Sequence, residues 1–114
     1  MKLFQSESDR YTQEQLTARE AQRLAEYIAW SPVIFQVSRL MVKWGILDAL
    51  RDSQEGLTLD ELKEQTRLSE YALKVLLEAS LSAGTVLVDR ATDRYTVSKT
   101  GWFLLNDPAT RVNI

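Results

Sequence analysis

Any chemistry in this chain falls to carboxylates, amines and guanidinium groups, because its 114 residues include no histidine and no cysteine. The commonest general base and metal ligand is therefore missing, and disulfide and thiolate chemistry is excluded. The densest acidic run is LDELKE at 59–64, with Asp60, Glu61 and Glu64. A solvated helix face accounts for it better than a site does. Gly45, Gly56, Gly84 and Gly101 are too far apart to assemble a phosphate-cradling or nucleotide-binding loop. No catalytic, cofactor-binding or metal-binding residue is assigned.

The cations offer the other candidate chemistry, contact with nucleic acid. Lys74, Arg90, Arg94 and Lys99 are the residues that would touch DNA phosphates or bases. The balance around them is unfavourable. From 58 to 83 there are five acids and three bases, and Asp89 and Asp93 sit among the later arginines. Formal net charge is −2 and the pI is about 5.2, whereas DNA affinity rests largely on Lys and Arg displacing counterions.

The elements that position these residues are mostly helical. Residues 1–11 are polar and mixed, and are expected to form a flexible arm; 12–114 form one domain. TQEQ at 12–15 has capping-box form and predicts a helix from there to about Trp30. SP at 31–32 predicts a restart, with Ser31 as N-cap and Pro32 in the first helical position. EGLT at 55–58 reads as a turn, and Thr58 with Glu61 as a capping box before a short helix. Ser69 is the expected cap of a longer helix that Gly84 stops. TVLVD and RYTVS predict a hairpin, and KTGWFLLNDP a short closing helix. The fold class is mainly α with a small β-hairpin, a winged helix-turn-helix with two additional N-terminal helices.

The helix carrying SRLMVKWGILDAL has too many apolar faces for one core. Gln36, Arg39 and Lys43 form a narrow polar stripe, and apolar residues cover far more than the ~100° a surface helix needs. Either the chain wraps this helix on several sides, or one face serves a second subunit; the second reading is preferred. Tyr27 and Trp30 on the preceding helix suit such an interface, since aromatic side chains bury much area at little entropy cost. Gly45 either admits a close backbone or breaks the helix. A break is favoured, because it sets Asp48 near a new helix N-terminus.

Three segments in order carry a family resemblance. LMVKWGILDAL, LTLDELKEQTRLSEYALKVLLEASLSAGTVL and RYTVSKTGWFLLNDP resemble the N-terminal domain of S-adenosylmethionine-dependent O-methyltransferases. The similarity covers about 33 to 108. It implies a winged-helix dimerisation domain whose helices intertwine with a partner subunit and help wall its substrate pocket. The partner would then be an identical chain, with an interface at Leu24, Tyr27, Ile28, Trp30, Val33, Ile34, Phe35, Val37, Leu40, Met41 and Trp44. The resemblance also implies that S-adenosylmethionine and the catalytic base belong to a C-terminal Rossmann-like domain, not included here, acting on a small-molecule methyl acceptor. The ending NDPATRVNI reads as a domain boundary within a longer parent.

The expected partner is therefore a second copy, not nucleic acid and not a membrane. No apolar run reaches the length that crosses a bilayer, and MKLFQSESDRYTQEQ has no signal-peptide core, so a cytoplasmic location is expected. A winged-helix DNA-binding regulator is the alternative function, and a non-catalytic interaction module the third.

Overall fold

The first helix, α1 (Ala18–Lys43), is capped by Thr17. Thr17 Oγ1 accepts from the Glu20 N–H at 3.2 Å, and the Glu20 carboxylate accepts from the Thr17 N–H at 3.4 Å and its hydroxyl at 2.9 Å. The helix opens at this reciprocal capping box, and not at Thr12 as expected. A glutamate at the third position also gains from the positive end of the helix dipole, which a glutamine does not.

Nor does the chain restart at Ser31. Pro32 sits inside α1, where it lacks the N–H that the Ile28 carbonyl would accept. The Ser31 hydroxyl donates to that carbonyl at 2.7 Å. The open acceptor is thus satisfied from within the helix, and one long helix replaces the two expected.

The computed structural model describes residues 12–114, so the expected arm at 1–11 lies outside the described residues. The chain divides into two compact units, Met1–Ser31 and Pro32–Ile114. In the first, the described residues form the opening of α1, and all from Thr12 to Trp30 are exposed.

The second unit begins with the rest of α1. Gly45 closes that helix in the left-handed region, at φ 76° and ψ 13°. An L side chain would be strained there, and this is the expected break. The chain turns directly into α2 (Ile46–Arg51), where Asp48 lies in the first turn and pairs with Arg51 at 3.1 Å. Next come α3 (Leu59–Thr66) and α4 (Glu70–Ala83), the helix-turn-helix. Their caps are those expected. Thr58 Oγ1 accepts from the Glu61 N–H at 3.2 Å and Ser69 Oγ from the Ala72 N–H at 3.1 Å, each worth about 1 kcal/mol. The Glu61 carboxylate is turned to Arg94 instead of back to its own cap.

The hairpin pairs β1 (Val86–Asp89) with β2 (Arg94–Val97), antiparallel, Val86 opposite Val97 and Asp89 opposite Arg94. Leu57 adds a bridge on the other edge of β2, exchanging both backbone hydrogen bonds with Tyr95 at 3.0 and 2.8 Å. The expected turn at 55–58 thus also carries a bridge, and one residue is too short to leave an alternating pattern.

Helix α5 (Lys99–Asn106) is capped by Ser98, whose hydroxyl accepts from the Gly101 N–H at 3.1 Å and donates to the Gly84 carbonyl at 2.6 Å. A last short helix, α6 (Pro108–Arg111), was not expected. Asp107 caps it by accepting from the Thr110 N–H at 3.2 Å, and Pro108 occupies the first turn, a start signal that was read only as a stop.

Met41, Ile46, Leu47, Leu50, Leu57, Leu62, Leu73, Leu76, Leu77, Val86 and Leu105 form the core. All helices of the second unit except α6 contribute to it, with β1 through Val86, and Tyr95 and Val97 of β2 pack against it half-buried. The architecture is the expected mainly helical, winged-helix-like one.

Candidate dimer interface

The expected interface residues lie on α1 and just beyond it, and the fold sorts them into two groups. In the second unit, one side of the helix turns Ser38 and Met41 into the interior, 6% and 0% exposed. Val37, Leu40 and Val42 pack against the same core, and Ile34 is half-buried. Met41 is therefore a core residue: its own chain encloses it, and no partner can reach it. Val37 and Leu40 also serve the core first.

The remaining apolar side chains stay outside. Val33, Phe35 and Trp44 are 48%, 42% and 43% exposed. Val33, Leu40 and Trp44 recur on one flank of the buried side, and Phe35 lies on the other. Gln36, Arg39 and Lys43 form the expected exposed polar stripe. In the first unit, Leu24, Tyr27, Ile28 and Trp30 are 48–62% exposed. Single exposed apolar residues are ordinary, but a series along one helix marks an interaction surface.

Sequence reasoning missed a further aromatic pair. Trp102 and Phe103 are exposed on α5 and stack edge-to-face, with ring centroids 5.2 Å apart. The signal was present in TGWFLL. Burial of Gly101 and Leu105, four residues apart, turns the two residues after the glycine outward.

The candidate DNA contacts differ in what the fold does with them. Lys74, Arg90 and Lys99 are exposed, but Arg94 is committed within the fold. Its guanidinium pairs with Glu61 at 3.3 Å and donates to the Gly56 carbonyl at 3.0 Å. The cleft between α3, the start of α4 and the hairpin, about 470 Å³, is lined by Thr58, Leu59, Asp60, Glu70, Thr92, Asp93 and Tyr95. Its charges are three carboxylates. Among the described residues no helix is long and apolar enough to cross a membrane.

No match was found among curated proteins. The family model of the Dimerisation2-like domain matches residues 22–95, from within the exposed opening of α1 through the helix-turn-helix to the second strand of the wing. The chain belongs to this family, the N-terminal dimerisation domain of O-methyltransferases.

Proposed function

We propose that this chain forms a homodimer through the exposed apolar side chains of α1 and Trp44, as the N-terminal domain of a cytoplasmic, S-adenosylmethionine-dependent O-methyltransferase acting on a small molecule. The observation that carries the dimer is the series Leu24, Tyr27, Ile28, Trp30, Val33, Phe35 and Trp44, all at least 42% exposed.

Catalysis is assigned to a further domain. Gly45 breaks a helix, Gly56 precedes Leu57, Gly84 ends α4 and Gly101 lies inside α5. The four form no glycine-rich loop, so no residue of this chain is assigned to the cofactor. The role of walling the partner's substrate pocket rests on the family alone. The acidic cleft beside α4 supports protein association over DNA reading, since phosphates would meet three carboxylates there.

Sedimentation velocity of the wild type and of Val33→Glu tests the dimer. The wild type should sediment as a dimer at micromolar concentration and the variant as a folded monomer. Val33 is the better probe than Val37, which packs on the core. A wild type that stays monomeric as concentration rises would overturn the reading. Salt-sensitive binding of random duplex DNA would favour the regulator instead.

A further inference from the structure

We propose that the helix from Ala18 to Trp30 is ordered by association: a second copy covers its apolar arc, and the dissociated chain loses this helix while the winged unit stays folded. The inference rests on the dimer reading above and deepens it.

The local terms leave this stretch near balance. Every residue from Thr12 to Trp30 is exposed, so the described residues bury none of its side chains fully. A stretch of this length, about 20 Å of helix, is marginal in water on its own. One end is helped by the Thr17–Glu20 capping box. At the other, Pro32 removes a rung of the backbone ladder, and a single serine hydroxyl stands in for it. Most helix stability in proteins comes from covering an amphipathic face, and here a second copy supplies that cover.

The arc to be covered is well defined. Ala21, Leu24, Ala25 and Ile28 share one side, with Arg19, Gln22, Arg23, Glu26 and Trp30 opposite. Two features fit a second copy. Arg19 and Arg23 balance Glu20 and Glu26, so identical helices approach without net repulsion. In an antiparallel pair, Leu24 comes level with Ala25 and Ile28 with Ala21, each large side chain against a small one, as helix ridges and grooves require.

Hydrogen–deuterium exchange of the full chain across a dilution series, with sedimentation on the same samples, tests this. Amides at 18–30 should exchange on the order of tenfold faster in the monomer than in the dimer, while those at 59–83 keep their protection. Ile28→Glu, at a side chain that is 61% exposed, should be monomeric, fast-exchanging at 18–30 and unchanged at 59–83. A dissociated wild type that retains protection at 18–30 would overturn the inference and leave the dimer standing. So would a dimer in which 18–30 is unprotected. A chain that never dimerises would overturn both.

Discussion

Arg94 on β2 grips Glu61 on α3, its two terminal guanidinium nitrogens each standing 3.3 Å from one carboxylate oxygen, and the same guanidinium donates to the Gly56 carbonyl. One side chain thereby joins the wing, the turn before Leu57 and the first helix of the helix-turn-helix. Both partners are roughly a third exposed, which keeps the pair in the modest range for surface ion pairs, though the bidentate geometry favours its upper end. Arg94→Ala should cost about 1 kcal/mol in urea unfolding. A double-mutant cycle with Glu61→Gln should show coupling that weakens at high salt; additive single effects would count against the clamp.

Two changes on α1 should separate core from surface. Met41 is fully buried, so Met41→Ala should lower unfolding free energy by about 2–5 kcal/mol through lost burial and the cavity left behind. Val33→Glu should change the monomer's stability by less than about 0.5 kcal/mol and act on association instead. Chemical denaturation monitored beside sedimentation checks both.

Pro32→Ala should raise helicity. The substitution restores the N–H donor to the Ile28 carbonyl, now served by the Ser31 hydroxyl. Alanine is favoured over proline in a helix interior by about 3 kcal/mol. Far-UV circular dichroism at concentrations where the chain is monomeric should show the gain. No change in ellipticity would mean that the serine bond already compensates fully.

Gly101→Ala should destabilise although alanine is the better helix former. A Cβ at Gly101 would collide with the Thr85 carbonyl oxygen and lie 2.7 Å from a Val97 methyl carbon. Overpacking of this kind costs about 1–3 kcal/mol, more than the ~1 kcal/mol that alanine gains over glycine in a helix. A lowered midpoint in thermal melts is the expected outcome.

Much of the second unit was legible because its signals are local. Thr58 and Ser69 each accept from the N–H three residues on, and such caps depend on residue type and spacing alone. Gly45 and Gly84 both take left-handed backbone where helices end. The strands at 86–89 and 94–97 followed from β-branched residues around a short polar loop. Errors arose where two local signals competed. Thr12 and Thr17 both head capping patterns, and Ser31–Pro32 is as good a helix start as a proline tolerated mid-helix; the winner depends on whether Ile28 finds a donor.

The sequence by itself determined that this chain has no histidine or cysteine chemistry, that it builds a winged helix, and that α1 is too apolar for a single core. Only the tertiary structure decided which apolar residues that core takes. Met41, Val37 and Leu40 turn inward, while Val33, Phe35 and Trp44 are left outside. Helical periodicity counts apolar positions around an axis, but it carries no information on where neighbouring elements lie. Burial is settled by the packing of α2 to α5 and the wing, and this set of long-range contacts assigns Arg94 to Glu61 and leaves Val33 and Phe35 of α1 exposed.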